Sequence, residues 1–107
     1  RADGSWSEHG DTCKRRQWTD GERGHVVQTS WAMLALMRAE YKDGEILRRA
    51  ASFLTRRQEA DGSWARESLV GVFNRTCLID YDNYRHIFPM WALDELPNAL
   101  ALVERGL

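Results

Sequence analysis

Hydrophobic positions along the chain follow two different helical patterns. From residue 26 to residue 39 nearly every position is apolar, with the unbroken run W-A-M-L-A-L-M beginning at Trp31, which predicts a helix buried on most sides. From residue 45 to residue 60 apolar residues recur every three or four positions and arginines take the other faces, which predicts an amphipathic helix. Gly44 separates the two helices, and Asp61-Gly62 ends the second.

Two prolines, Pro89 and Pro97, interrupt the hydrophobic pattern near the C-terminal end. A third helix is predicted to begin between Tyr81 and Pro89 and to run to about Glu95. Pro89 suits a first helical turn, where its missing N–H costs nothing, or else it kinks a helix already under way. The tail from Pro97 to Gly106 is predicted to form one more short helix.

The chain contains two copies of one unit. D-G-S-W at residues 3–6 recurs at residues 61–64, and W-A at residues 31–32 recurs at residues 91–92. A period near 58 residues predicts a helical array in which each unit buries its face on a neighbour. Inner apolar helices that alternate with outer amphipathic ones predict an all-α fold, as part of an α/α barrel. Two units cannot close a barrel, so we expect uncovered apolar flanks and instability in isolation, with residues 1–107 forming an incomplete domain.

Composition excludes some classes of function. The 107 residues carry a net charge of -1, which gives no electrostatic basis for nucleic-acid binding. Cys13 and Cys77 lie too far apart to suggest a disulfide framework or a metal motif, which favours a reduced intracellular setting. The longest apolar run is far shorter than the ~20 residues that a membrane-spanning helix needs.

Residues 49–64 carry a specific motif. They read R-A-x-x-F-L-x-x-x-Q-x-x-x-G-x-W, and this pattern resembles the QW repeat of the triterpene cyclases. We expect a structural role, with Gln58 hydrogen-bonding a neighbouring helix end, Trp64 covering that joint and Gly62 allowing the sharp turn between them. The motif positions are Arg49, Ala50, Phe53, Leu54, Gln58, Gly62 and Trp64.

Residues 71–93 carry a second, independent motif. They contain G-V-F-N followed by C, and then Y-x-x-Y-R-x-I-F-P-x-W-A-L. This segment resembles the C-terminal active-site segment of the oxidosqualene cyclases. Gln28-Thr29 is closer to the squalene–hopene cyclases, so a segment of that type stays an alternative.

The resemblance implies that three aromatic residues, Phe73, Tyr81 and Tyr84, line the cyclisation cavity and stabilise carbocations. A π face attracts a cation without being a good base or nucleophile, which suits a dry cavity. Tyr81 and Tyr84 stand three apart and can share a helix face. Their hydroxyls need partners when buried, and Asn74, Asp80 or His86 are candidates. Without the resemblance, ordinary core packing is the commoner role of such aromatics.

The implied reaction is an isomerase-type one: acid-initiated cationic polycyclisation of (S)-2,3-oxidosqualene to a sterol-type triterpene such as lanosterol, with no cofactor and no metal. The D-C-T-A-E motif that supplies the acid in this family is absent, so we expect no catalytic acid here and an inactive fragment. The resemblance further implies a lipophilic substrate, monotopic attachment to a membrane surface, and location at the endoplasmic reticulum or lipid droplets. It implies no obligate protein partner.

Two other classes of protein remain as alternatives. Protein prenyltransferase β subunits share the α/α barrel and bind catalytic zinc through D-x-C and a later His, a set that Asp11, Cys13 and His86 could imitate. A non-catalytic helical-repeat scaffold would explain the period but not the second motif.

Overall fold

Helices dominate the fold, as expected for an all-α protein. The computed structural model describes residues 1–73, 77–79 and 81–106, with residues 72 and 73 described by their backbone alone. Within these residues the helices are α1 (Asp11–Arg15), α2 (Val26–Arg38), α3 (Gly44–Arg57) and α4 (Asp82–Glu104). None of the described helices is long and apolar enough to span a membrane.

α2 begins at its predicted residue, Val26, and ends at Arg38, close to its predicted end. α3 begins at Gly44, which was expected to separate the two helices, and ends at Arg57, before its predicted end near residue 60. Local capping explains where both helices begin. The His25 ring accepts from the Gln28 N–H at the start of α2, and the Asp43 carboxylate accepts from the Glu45 and Ile46 N–H groups at the start of α3. Glu40 takes a left-handed conformation with a φ of 55°, which ends α2. The amphipathic prediction for α3 is confirmed, because its apolar residues are buried, apart from the half-buried Ile46, and its arginines 48, 49 and 56 are exposed.

The C-terminal helix begins at Asp82, within its predicted range, but it is longer than predicted. α4 runs without interruption through Pro89 and Pro97, so Pro89 lies two turns inside the helix and the tail is not a separate helix. Pro89 and Ala92 are buried, and Leu93 and Leu96 pack against the core. We infer that this packing offsets the hydrogen bonds that the two prolines cannot make.

Short elements interrupt the stretches expected to be irregular. Besides α1, a small antiparallel ladder pairs β1 (Gly71–Phe73) with β2 (Cys77–Ile79), and Val72 stands opposite Leu78. These pieces are too short to carry a periodic signal, which is why the sequence pattern did not predict them.

The core lies where α2, α3 and α4 meet. It combines Val26 and Met33 of α2 with Phe53 and Leu54 of α3, and Trp64 joins it from the turn after α3. The helix expected to be buried on most sides is covered on only part of its surface, because Ala35 is exposed and several of its other apolar side chains are half-buried.

Candidate functional site

The two D-G-S-W turns have the same geometry. In the first, the Asp3 carboxylate accepts from the Ser5 N–H at 3.0 Å and from the Ser5 hydroxyl at 2.6 Å; in the second, Asp61 accepts from Ser63 at the same two distances. Gly4 and Gly62 have φ angles of 89° and 90°, a region that glycine enters without a Cβ penalty. The sequence repeat is therefore a structural repeat.

Each turn lowers the pKa of its aspartate carboxyl group. The hydroxyl of Ser63 holds the pKa of Asp61 below its usual value, with help from the backbone N–H of the same residue. The hydroxyl of Ser5 lowers the pKa of Asp3 in the same way. Hydrogen bonds to the ionised form cause both shifts, so each Asp acts as a turn-forming acceptor rather than as a poised acid.

The first turn is seated on α3. A Cβ at Gly4 would overlap the carbonyl oxygen of Arg49, so the turn and the helix backbone are in direct contact. The Arg49 guanidinium donates to the carbonyl oxygen of Ala2, and Arg56 donates to that of Asp3 at 3.2 Å. Two arginines of the amphipathic helix thus bind the turn of the other repeat copy.

The second turn is held through Trp64, whose side chain is only 2% exposed. Its indole N–H donates to the Leu54 carbonyl oxygen at 2.9 Å, in the last turn of α3. The Gln58 amide was expected to reach a neighbouring helix, but its contact is local, a 2.8 Å bond to the Gly62 carbonyl oxygen. Gln58 ends the helix in an extended conformation, which turns its side chain back into its own loop.

Tyr81 and Tyr84 are brought together, as their spacing predicts. Their ring centroids lie 5.3 Å apart at an interplanar angle of 70°, an edge-to-face contact. Tyr81 stands at the N-cap of α4 and is 56% exposed, while Tyr84 is half-buried. At least one face of this pair is open within the described residues.

The two tyrosines begin a longer aromatic face. The ring centroids of Tyr84 and Phe88 lie 5.8 Å apart, and Phe88 stacks on Trp91 with a centroid distance of 6.0 Å. Trp31 of α2 lies edge-on to both Tyr84 and Phe88, with centroid distances of 5.6 and 5.5 Å. We call these rings the aromatic face: Trp31, Tyr81, Tyr84, Phe88 and Trp91. Sequence reasoning missed Trp31, Phe88 and Trp91 as members. Aromatic positions three, seven and ten residues after Tyr81 were the signal that could have found two of them.

An ion pair borders the aromatic face at Trp91. Glu95 accepts from the Trp91 indole at 2.8 Å and from Arg38 of α2 at 3.1 Å, and the Arg38 guanidinium lies 5.8 Å from the Trp91 ring centroid. The Trp91 hydrogen bond and then Arg38 lower the pKa of Glu95. These contacts fix α2 to α4 beside the rings.

Most of the other predicted participants lie outside the described residues. The side chain of Phe73 and the residues Asn74 and Asp80 lie outside the described part of the structure. His86 is exposed. The expected roles of Phe73 and of Asn74, Asp80 or His86 as hydroxyl partners therefore stay predictions.

The zinc alternative finds no support in the described ranges. No three His, Cys, Asp or Glu side chains among residues 1–73, 77–79 and 81–106 come together as a metal site. Asp11 lies beside His9 and Arg15, at 3.7 and 3.5 Å, while Cys13 is exposed. Asp11, Cys13 and His86 do not form the ligand set that the sequence could imitate.

A polar cavity of about 320 Å³ lies apart from the aromatic face. Its walls include His25, Glu67 and Ser68 and none of the five aromatic rings. The His25 Nε2 atom lies 2.8 Å from the Ser68 carbonyl oxygen, and Glu67 accepts from the Val26 N–H at 2.8 Å. These groups are occupied in holding the start of α2.

Comparisons with known proteins match nearly the whole chain. Residues 1–98 match the family described as squalene–hopene cyclase C-terminal domain. The chain is 44% identical over 91 residues to lanosterol synthase ERG7 of Saccharomyces cerevisiae and 39% identical over 92 residues to human lanosterol synthase. It is 46% identical over 78 residues to cycloartenol synthase of Dictyostelium discoideum.

The matches cover most of this chain but only a small part of each relative. The matches include 85%, 86% and 73% of this chain but only 12%, 13% and 11% of the three relatives. The chain thus spans about one eighth of the length of the curated relatives it matches. By its family match and by its identity to these relatives, the chain belongs to the squalene–hopene cyclase C-terminal domain family.

Proposed function

We propose that this chain is the C-terminal segment of an oxidosqualene cyclase. The parent enzyme would convert (S)-2,3-oxidosqualene to a sterol-type triterpene such as lanosterol by acid-initiated cationic polycyclisation, within an α/α barrel. The aromatic face is the observation that carries the proposal, because Tyr81 and Tyr84 are paired and partly open. The relatives named as lanosterol and cycloartenol synthases favour this branch over the squalene–hopene type.

The aromatic face suits the chemistry of a migrating carbocation. Water would quench such a cation and a carboxylate could deprotonate it, whereas a ring face supplies negative potential without reacting. An edge-to-face contact with Trp31 and a tilted contact with Phe88 restrict the orientation of the Tyr84 ring. A ring held in place before the reaction need not reorganise when the charge arrives. Phe73 is proposed to join Tyr81 and Tyr84 from β1.

The repeat turns would brace this site rather than react. Arg49 and Arg56 bind the first turn, and Trp64 ties the second turn to α3. We therefore assign Arg49, Ala50, Phe53, Leu54, Gln58, Gly62 and Trp64 a structural role. The proton donor would come from another part of the parent enzyme, and the 107-residue chain by itself is proposed to be inactive.

The remaining features of the parent enzyme follow from its proposed substrate. A substrate dissolved in lipid would be delivered most directly to an enzyme attached to a membrane surface, so we propose a monotopic protein of the endoplasmic reticulum membrane or of lipid droplets. No cofactor, metal or obligate protein partner is proposed.

The proposal is tested with Tyr84→Ala in the full-length polypeptide that carries this chain. Removing one well-placed ring forfeits about 2 kcal/mol of cation stabilisation, so turnover of oxidosqualene should fall about thirtyfold and incompletely cyclised products should appear. Tyr84→Phe, which keeps the ring, should stay much closer to wild type. Tyr41→Ala is the matched control, since Tyr41 is exposed and outside the aromatic face.

The products should be measured by gas chromatography on enzyme of verified folding. Unchanged turnover and products in Tyr84→Ala would remove the cation-stabilising role. Failure of the unaltered full-length protein to cyclise oxidosqualene would leave a non-catalytic helical-repeat scaffold as the better description.

A further inference from the structure

Arg85 connects the start of α4 to the second repeat turn. Its Nε–H donates to the carbonyl oxygen of Trp64 at 3.1 Å, and a second guanidinium nitrogen donates to the Asp82 carboxylate at 2.9 Å. The side chain is only 25% exposed. Arg85 is the next residue after Tyr84, so whatever holds Arg85 also limits where the Tyr84 ring can lie.

Trp64 extends this connection to α3. The Trp64 indole N–H donates to the carbonyl oxygen of Leu54 at 2.9 Å, and the Trp64 backbone oxygen accepts from Arg85. A continuous series of hydrogen bonds therefore runs from the last turn of α3, through the core tryptophan, to the first turn of α4. Trp64 is buried, so solvent competes little for these groups.

The first turns of α4 depend on such an external connection. Tyr81, the N-cap residue, provides no side-chain hydrogen bond to the helix start. Pro89 has no N–H, so the Arg85 carbonyl lacks the helical partner four residues later. Both features weaken the backbone restraint on the segment that carries Tyr81 and Tyr84.

The charge of Arg85 is compatible with a nearby cation. A guanidinium facing a carbocation would repel it, but this guanidinium is directed to Trp64 and is paired with Asp82. The planar fork makes both bonds at once, which the single ammonium of lysine does with less geometric control.

We propose that Arg85 is a positioning residue for the aromatic face: it fixes the first turn of α4 on Trp64 and thereby sets where the Tyr81 and Tyr84 rings meet the reacting cation. This inference rests on the proposed cyclase function. In this role Arg85 does not contact the substrate. The mixture of cyclised products would depend on the hydrogen bond between Arg85 and Trp64 of the second repeat turn.

The test is Arg85→Met in the full-length polypeptide, which keeps much of the apolar stem and removes the fork. Since small displacements of a positioning group lower turnover, kcat should fall about tenfold with KM changed less than about twofold. Incompletely or differently cyclised products should rise at least about threefold. Arg85→Lys should lie between Arg85→Met and wild type.

Arg48→Met is the matched control. Arg48 also ties α4 to α3, through Glu104 at 2.9 Å, but it does so at the opposite end of α4. It should leave kcat and the product mixture unchanged. A purely structural role for Arg85 would reduce the yield or the melting temperature of the enzyme and leave the product ratio per folded molecule as it was.

The outcomes separate this inference from the proposed function. If Tyr84→Ala changes the products and folded Arg85→Met does not, the positioning role is wrong and the cyclase proposal stands. If neither variant changes them, the positioning role of Arg85 and the cation-stabilising role of Tyr84 are both wrong, and only an unaltered protein that does not cyclise oxidosqualene would overturn the cyclase proposal. If Arg85→Met does not fold, Arg85→Lys decides, and a wild-type product mixture from Arg85→Lys overturns the inference.

Discussion

Trp64 is the residue on which the second repeat turn depends. It fills the core with its ring, satisfies a carbonyl of α3 with its indole N–H, and offers its own carbonyl to Arg85. Carbonyls in the last turn of a helix have no partner within the helix, so the indole bond to Leu54 replaces one that the helix cannot supply.

Trp64→Phe should therefore destabilise the protein. The phenyl ring keeps most of the apolar burial but leaves the Leu54 carbonyl without its donor, which costs about 1–3 kcal/mol in addition to the loss of packed volume. Chemical denaturation of the full-length polypeptide measures the effect. Trp18→Phe is the control, because Trp18 is 63% exposed, and should change stability by no more than about 0.5 kcal/mol. Equal effects of the two variants would contradict this role of Trp64.

The conformation or contact of a single residue can be predicted from the sequence when only one physical arrangement satisfies it. The need for glycine at Gly62 follows from the sharp turn and is confirmed by its φ of 90°. The partner of Gln58 was not predictable, because an amide at a helix end can reach either another helix or its own loop, and only the extended backbone at Gln58 decides.

At the scale of elements, α4 shows where the prediction of a helix break from proline fails. Each proline removes one helical hydrogen bond, and the sequence therefore predicts a break. Packing of Ala92, Leu93 and Leu96 against the core stabilises the part of the helix that lies between the two prolines. This packing outweighs the hydrogen bonds lost at the prolines, and a local stretch of sequence around a proline does not show it.

Pro97→Ala is expected to stabilise α4. Pro97 is exposed, so the variant loses little packing, and the new N–H can donate to the Leu93 carbonyl, with a gain of about 1–3 kcal/mol. Slower amide exchange over residues 93–101 and a higher denaturation midpoint would report it. Asn98→Ala changes the neighbouring exposed position and should have a much smaller effect. Faster exchange in Pro97→Ala would mean that the proline sets a bend that the packing requires.

At the scale of the whole molecule, the two repeat copies are alike in conformation but unlike in surroundings. The first turn lies against the backbone of α3, whereas the residues around Gly62 are exposed. Along the described chain, a Cβ at Gly62 would meet only the Gln58 amide, at 3.8 Å. The sequence predicts uncovered faces, since two units cannot close a barrel, but it does not predict that the two turns differ in their surroundings.

The repeat makes a prediction for the longer polypeptide. If each turn of this kind seats on an outer helix, as the first does on α3, then Gly62 should be covered in the full-length protein. Gly62→Ala should then cost as much as Gly4→Ala: about 1–2 kcal/mol for the left-handed backbone and about 1–3 kcal/mol more for the overlap with a helix. Denaturation midpoints of both variants measure this.

Gly106→Ala separates the two contributions. Gly106 also has a positive φ, 70°, but none of the described residues lies within 4 Å of its added Cβ, so it reports the backbone cost alone. A Gly62→Ala effect equal to that of Gly106→Ala would mean that the second turn stays open in the full-length protein. An effect equal to that of Gly4→Ala would mean that a further outer helix binds there, and the array would continue beyond the two copies by the same contact that joins them.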